Sequence, residues 1–144
     1  MKAFFDTSVL LPVFYGDHPR HEESLETFLT YGKSETACAA HSAAELYATM
    51  TRLPVRPRIG ADQAMLFIES LSQRVTMVCL ESSDYLRMLS QAAEQQLTGG
   101  MIYDALIAAC ARKAGASVLY TWNPRDFQRL LREGDPAVRT PGEL

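Results

Sequence analysis

Four acidic side chains occupy positions from which a folded chain could bring them to one cleft. Asp6 directly follows a short apolar run, and Asp126 comes soon after another run that predicts a strand. Glu45 and Asp104 each lie near the start of a predicted helix. Carboxylates that share a cleft repel one another and need a cation, and oxygen ligands without Cys or His favour Mg²⁺ or Mn²⁺ over zinc or copper. Such a centre commonly activates water for attack on a phosphate.

Three of these acids also have an ordinary structural explanation. Asp6 could cap the helix that follows it, and Asp126 or Asn123 could cap a short helix over residues 127–131. Ser42 and Glu45 have the spacing of a capping box, in which each side chain bonds the other's backbone amide. On the local sequence alone, capping explains these positions as well as a metal site does.

Asp104 is harder to explain by structure alone. It is the only charged residue in the stretch 101–111, where almost every side chain is small or apolar. A helix that is apolar all round is expected to be buried on most sides, and a buried carboxylate needs a partner or a cation. The positive end of the helix offsets part of the cost, and capping of a neighbouring loop is an alternative. The position nevertheless indicates a functional site.

These acids need a scaffold that brings strand ends and helix starts together. Apolar runs predict strands at 2–5, 36–40, 75–80 and 117–121, and a short edge strand at 137–141. Between them, apolar residues at helical spacing predict helices that begin near residues 8, 17, 42, 62, 83 and 101. Strands that alternate with helices predict an α/β sandwich with a mainly parallel sheet. Its strand ends would bring Asp6 and the loop 122–127 to one crevice.

Composition and charge limit the class of protein. The 144 residues fit one domain, and the net charge of −3 argues weakly against a nucleic-acid binder with a broad basic face. No apolar run is long enough to span a bilayer, and the first residues lack the pattern of a secretion signal. We therefore expect a cytoplasmic protein that does not contact membranes. P-loop, GxGxxG and GxSxG motifs are absent from the sequence.

The most basic segment is 51–60, which contains Arg52, Arg56 and Arg58. A solvated loop is the default interpretation of such a segment. The alternative is a set of arginines available for phosphate contacts near a site.

Two further predictions concern burial. Cys38, Cys79 and Cys110 lie in apolar stretches, which indicates buried reduced thiols rather than a disulfide framework. The helix from residue 83 is predicted to bury one apolar side, formed by Tyr85, Leu86, Leu89 and Ala93.

The order of these motifs resembles a known family. The motifs are Phe5-Asp6-Thr7-Ser8, Ala44-Glu45-Leu46, Tyr103-Asp104-Ala105-Leu106-Ile107-Ala108 and Tyr120-Thr121-Trp122-Asn123-Pro124-Arg125-Asp126-Phe127. Taken together and in this order, they resemble PIN-domain ribonucleases, and within these the VapC-type toxins of bacterial toxin–antitoxin pairs. Each motif is weak by itself, and the resemblance covers essentially the whole chain.

The resemblance implies a single PIN domain over residues 1–144, a three-layer α/β/α sandwich. It implies an endoribonuclease that depends on Mg²⁺, with Mn²⁺ as an alternative, and cleaves structured RNA such as tRNA or rRNA. It also implies a cognate VapB-like antitoxin and a homodimer.

The site residues follow from the same resemblance. Asp6 and Asp104 would bind the metal directly, and Glu45 would bind it or position the attacking water. Asp126 would supply charge and Asn123 a neutral ligand or a hydrogen bond. The neighbouring hydroxyls would hold the carboxylates, and they belong to Thr7, Ser8 and Thr121.

Two other classes of function are considered. A phosphotransferase with Asp6 as nucleophile would typically have a second Asp two residues later, where this chain has Ser8. A catalytically silent PIN fold that binds RNA or protein is the main alternative. Against it, acids stand at the three positions that match the family motif, Asp6, Glu45 and Asp104.

Overall fold

A parallel sheet forms the middle layer of the protein. The computed structural model describes residues 1–143. In chain order, the strands of this sheet are β1 (Ala3–Phe5), β2 (Thr36–Ala39), β3 (Thr76–Val78), β4 (Val118–Tyr120) and β5 (Ala137–Arg139). Every neighbouring pair is parallel, in the order β3-β2-β1-β4-β5.

The central strand is β1, and all three of its residues are fully buried. Its register pairs Phe5 with Tyr120 of β4, and the amide of Asp6 extends the ladder by donating to the Tyr120 carbonyl at 3.0 Å. The chain passes from β1 outward to β2 and β3, and later returns on the other side of β1 to form β4 and β5. The strand order therefore reverses between β1 and β4, and ligand sites of open α/β sheets lie at the carboxyl ends of strands at such a point.

Helices cover both faces of the sheet. Phe5 of β1 packs in one core and the adjacent Phe4 in the other, as the alternation of side chains along a strand requires. Helices α1 to α4 border the Phe5 core, and helices α5 to α7 border the Phe4 core. In chain order, the helices are α1 (Thr7–Phe14), α2 (His21–Leu29), α3 (Ala40–Arg52), α4 (Ala61–Arg74), α5 (Ser82–Glu94), α6 (Met101–Ala114) and α7 (Pro124–Gln128).

The predicted fold class, a three-layer α/β/α sandwich with a parallel sheet, is confirmed. The tail strand also forms, since β5 pairs with β4 at one edge. No helix within residues 1–143 is long and apolar enough to cross a membrane.

Some element boundaries differ from the prediction. The second helix begins at His21 rather than near residue 17, because residues 15–18 form a turn closed by the bond from the His18 amide to the Tyr15 carbonyl. Helix α3 begins at Ala40 rather than Ser42, because it follows Ala39 of β2 without an intervening loop.

One burial prediction is wrong for all the residues it named, and another is wrong in part. Helix α5 packs through Met88 and Ala92, whereas Leu86 is 70% exposed. Its other predicted core residues are also exposed, and they are Tyr85, Leu89 and Ala93. Of the cysteines, Cys38 and Cys110 are buried as predicted, but Cys79 is exposed. All three are free thiols, as expected.

Candidate active site

Asp6 lies at the carboxyl end of β1 and is 5% exposed. It occupies the N-cap position of α1, but its carboxylate forms no capping hydrogen bond. Oδ2 instead accepts hydrogen bonds from Ser8 Oγ at 2.7 Å and from Thr121 Oγ1 at 2.9 Å. Burial raises the pKa of Asp6, and these two hydroxyl bonds oppose part of that rise. Hydroxyls from two elements therefore hold the Asp6 side chain, which leaves α1 uncapped by it.

The Ser8 and Thr121 hydroxyls form a pair beside Asp6, with their oxygens 3.3 Å apart. Ser8 Oγ accepts a bond from the backbone amide of Trp122 at 3.0 Å, and Thr121 Oγ1 accepts one from the amide of Asn123 at 3.0 Å. Backbone donors occupy the acceptor side of each hydroxyl, so the hydroxyl protons are directed at the carboxylate. Two donors tied to the backbone thus fix the orientation of Asp6.

Thr7 does not join this pair. Its Oγ1 donates to Ser42 Oγ at 2.9 Å, which ties the start of α1 to α3. The Thr7 hydroxyl also lies near Glu45, but its single proton is used in the bond to Ser42.

Glu45 lies in the second turn of α3. Because the N-cap position is Ala39, the predicted capping box of Ser42 and Glu45 is wrong. Glu45 Oε1 is buried, and no group in residues 1–143 donates a hydrogen bond to it, although His41 Nε2 lies 3.1 Å away. Burial raises the pKa of Glu45, His41 opposes the rise and the charge of Asp6 adds to it. A buried carboxylate oxygen without a donor is costly in a fold and calls for a ligand or a functional role.

Asp104 lies in the first turn of α6, as predicted. Burial raises its pKa to about 6, and the charges of three other carboxylates add to this effect. In order of strength, these carboxylates are Asp6, Asp126 and Glu45. The structure thus brings together all four acids that the sequence singled out, from four different elements.

Asp126 and Asn123 differ in how they relate to this cluster. Helix α7 begins at Pro124, earlier than predicted, with Asn123 in the N-cap position but with no side-chain capping bond. Asp126 lies inside α7 rather than at its cap, and Arg129 Nη2 lies 4.0 Å from its Oδ1. Asn123 is exposed, and it and Asp126 line a hollow of about 350 Å³ formed by residues 122–126.

The arginines of segment 51–60 lie away from Glu45. Arg52 is the last residue of α3, and the rise of an α-helix places it roughly 10 Å along the axis from Glu45. Arg56 and Arg58 follow in the connection to α4, and all three side chains are exposed. Within residues 1–143 none of them forms an ion pair.

The donor chemistry of the cluster fits a hard divalent cation. Its acids offer carboxylate oxygens, one of them buried without a donor, and burial together with the charges of the other acids raises the pKa of Asp104. The arrangement is more open than a finished ligand shell: among residues 1–143, no three His, Cys, Asp or Glu side chains are already placed to hold a metal ion.

Two aromatic side chains at the cluster were missed by the sequence analysis. The rings of His41 and Tyr103 stack in parallel, with centroids 5.4 Å apart and planes 4° apart. His41 precedes Glu45 by one helical turn, and Tyr103 directly precedes Asp104. The signal available in the sequence was this adjacency to two acids, but only the fold shows that the two rings meet.

The chain has clear relatives in sequence. A family model described as "PIN domain" matches residues 3–132. Ribonuclease VapC40 of Mycobacterium tuberculosis is 33% identical over 114 residues, which cover 79% of this chain and 81% of that protein.

Solved structures share its fold. The sarcin–ricin loop cleaving toxin VapC20 of Mycobacterium tuberculosis has a TM-score of 0.72 and 17% identity, and the match covers 94% of this chain and all of that one (100%). A toxin–antitoxin complex from Klebsiella pneumoniae has a TM-score of 0.68 and 22% identity, over 99% of this chain and 100% of that one.

Proposed function

Because this chain belongs to the PIN-domain family, and within it to the VapC ribonucleases, we propose that it is a divalent-metal-dependent endoribonuclease, the toxin of a type II toxin–antitoxin pair. One observation carries the proposal. Burial and the charges of three other carboxylates, Asp6, Asp126 and Glu45, raise the pKa of Asp104 to about 6. A cluster of this kind indicates a cation-binding catalytic centre.

The acids have distinct roles in this proposal. Asp6 and Asp104 bind Mg²⁺ or Mn²⁺ directly, and the free Oε1 of Glu45 binds the cation or holds the attacking water. When bound, the cation supplies an activated water and neutralises charge on the phosphate. Asp126 adds negative charge to the site. Asn123, which is exposed, offers a neutral oxygen ligand or a hydrogen bond.

The hydroxyls contribute by position. Ser8 and Thr121 keep the Asp6 carboxylate in one orientation, so that little rotamer freedom is lost when the cation binds. Thr7 contacts none of the proposed metal ligands through this bond. It ties α1 to Ser42, in the turn of α3 that precedes Glu45.

The proposed substrate is structured RNA such as tRNA or rRNA. The fold shared with a sarcin–ricin loop cleaving toxin supports this class of substrate. Arg52, Arg56 and Arg58 would contact phosphates away from the cleavage point, because α3 separates them from Glu45.

The proposed partners are a VapB-like antitoxin and a second copy of this chain. The likeness to a chain of a toxin–antitoxin complex supports the first. We place the protein's action in the cytoplasm, where such an RNA is available.

RNA cleavage by the purified chain tests the proposal. A pool of total tRNA and rRNA is incubated with Mg²⁺ or Mn²⁺, with or without chelator. We expect discrete fragments that require the cation and that disappear in both Asp6→Asn and Asp104→Asn. Asp62→Asn, a change of the same kind on exposed α4, should cleave as the unmodified chain does.

Thermal unfolding gives a second readout on the same proteins. A cation that binds only the folded state adds about 1.4 kcal/mol to the free energy of unfolding when its concentration is ten times its Kd. This gain should appear in the unmodified chain and in Asp62→Asn but vanish in Asp104→Asn. Fragments that persist in both acid variants would contradict the assignment. Tight RNA binding without cleavage, under either cation, would instead favour the silent binding module.

A further inference from the structure

We propose that the free face of Tyr103, backed by His41, is a stacking site for one unpaired RNA base beside the scissile phosphate. The inference rests on the proposed function for its class of substrate. It adds a recognition element to a site otherwise made of acids and hydroxyls.

The geometry leaves one face of Tyr103 open. His41 lies parallel to the ring, within 4° and with centroids 5.4 Å apart, so the two rings stack with a lateral offset. Tyr103 is nevertheless 55% exposed, so the stack with His41 leaves much of this residue accessible. An aromatic side chain that served only the fold would gain most from burying both faces.

His41 also restricts the position of the Tyr103 ring. It lies on α3 and Tyr103 on α6, so the stacked pair bridges the two helices that carry Glu45 and Asp104. His41 Nε2 is 3.1 Å from Glu45 Oε1, so the imidazole lies beside one of the acids although it donates no hydrogen bond to this oxygen. The Tyr103 ring is therefore pre-positioned rather than free to swing, which lowers the entropy cost of binding.

The position fits a base and not only an arbitrary apolar group. Tyr103 stacks on His41, whose Nε2 lies 3.1 Å from Glu45 Oε1, so a phosphate held at the acids would bring a neighbouring nucleotide within reach of the ring. Proteins that read loops and single strands stack unpaired bases on aromatic rings, and each such stack contributes about 1–3 kcal/mol. The site would favour cleavage next to an unstacked base over cleavage inside a regular helix.

A fluorescence titration tests this without requiring cleavage. The probe is a set of single-stranded RNA decamers, each with one 2-aminopurine at a different position, whose emission falls when the base stacks. The protein is the full chain with Asp6→Asn, which prevents turnover in the proposed mechanism. In this background, we compare Tyr103 with Tyr103→Phe and Tyr103→Ala, and use Tyr85→Ala as the matched control at another exposed tyrosine.

We expect quenching at one probe position with Tyr103, with Tyr103→Phe and with Tyr85→Ala. Tyr103→Ala should lose the quenching and bind the decamer about tenfold more weakly, the equivalent of one base stack. Equal quenching and affinity in Tyr103→Ala would overturn the inference. Thermal unfolding of each variant verifies that it is folded, as the exposure of Tyr103 predicts.

Failure of this inference is distinguishable from failure of the proposed function. If the unmodified chain cleaves RNA and Tyr103→Ala cleaves it with the same kcat and KM, the stacking site is wrong and the nuclease stands. If the unmodified chain cleaves nothing but quenching depends on Tyr103, the stacking site stands and the nuclease assignment is wrong.

Discussion

The two ends of helix α6 hold opposite kinds of charge environment. At its first turn, Asp104 faces other carboxylates, and its pKa is raised to about 6 by burial and by their charges. At its last turn, Arg112 Nε donates to Asp135 Oδ2 at 3.0 Å and Lys113 Nζ donates to Asp84 Oδ2 at 3.0 Å. Like charges meet at one end of the helix and opposite charges at the other.

The pKa values of the paired acids move in the other direction. Hydrogen bonds from a backbone amide and from Lys113 lower the pKa of Asp84. Burial would raise the pKa of Asp135, but bonds from a backbone amide and Arg112 outweigh it. The paired end stabilises the fold at neutral pH, whereas the acidic end destabilises it unless a cation binds. Folding alone would not favour such a cluster, which is why the difference points to function.

The largest expected effect is on RNA cleavage, which should depend on the acid at the first turn of α6 and not on the ion pairs at its last turn. Asp104→Asn removes a proposed cation ligand and should reduce RNA cleavage by about 100-fold or more. Asp84→Asn, the same change at the paired end, should leave cleavage within about twofold. Initial rates on one RNA substrate at saturating Mg²⁺ measure both. Equal losses in the two variants would mean that global stability, not the cation site, controls activity.

The second effect concerns the hydroxyls that hold Asp6. Thr121→Val keeps the shape but removes the donor to Asp6 Oδ2, and should lower cation affinity or cleavage by about 10–100-fold. Thr121→Ser keeps the hydroxyl and should recover most of the activity. Lys113→Met removes a donor from Asp84 at the paired end and should have no effect on cleavage. Cation titrations followed by thermal shift distinguish loss of binding from loss of fold; full activity in Thr121→Val would argue against the positioning role.

The third effect is on stability as a function of pH in the presence of chelator. Asp104 has a raised pKa, so its contribution to stability is complete below its ordinary value of 3.8 and is lost as the pH rises through about 6. Asp84 has a lowered pKa, so its contribution is present above the ordinary value and is lost as the pH falls through the lowered one. Asp104→Asn should therefore gain stability relative to the unmodified chain between pH 4 and pH 7.

The size of that gain is on the order of 1 kcal/mol, because Asp104 is partly exposed and solvent screens its charge. Denaturant unfolding at several pH values with chelator measures it. A difference between the two proteins that does not change with pH would contradict the raised pKa of Asp104 as the cause.

The smallest effect concerns arginines without acidic partners. Arg56→Gln with Arg58→Gln removes two proposed phosphate contacts and should reduce the slope of log affinity against log salt by about 1.4 on single-stranded RNA. Arg87→Gln with Lys113→Gln neutralises the same number of charges at side chains that pair with Asp84, and should leave the slope unchanged. Equal slopes in both double variants would remove segment 51–60 from the RNA interface.

Local patterns predicted the α/β fold well, and they singled out the four acids that the structure brings together. Asp6 and Asp104 were singled out because each lies in a short apolar stretch: Asp6 directly follows one, and Asp104 lies within one. A carboxylate in such a stretch indicates a buried acid, and this pattern can be seen within a few residues. The capping box of Ser42 and Glu45 was wrong because β2 continues directly into α3, which moves the helix start to Ala40. The local spacing of residues cannot distinguish a helix that begins at Ala40 from one that begins at Ser42.

Features that depend on packing between elements were not predictable. Helix α5 has apolar residues on more than one face, and contact with α6 buries Met88 and leaves Leu86 exposed. The stack of His41 on Tyr103 joins side chains from two helices, and no pattern within either helix reports it. The unpartnered oxygen of Glu45 likewise became visible only when its surroundings were known.

The hydrogen bond between Asp6 and Thr121 links residues that are 115 positions apart in the chain. Long-range contacts of this kind form late, after the intervening chain has been synthesised and the strands have paired. A nascent chain that ends before residue 100 already contains Asp6 and Glu45, but it lacks Asp104, Thr121 and Asp126. The acid cluster therefore cannot assemble on a nascent chain until the residues through Asp126 have been synthesised.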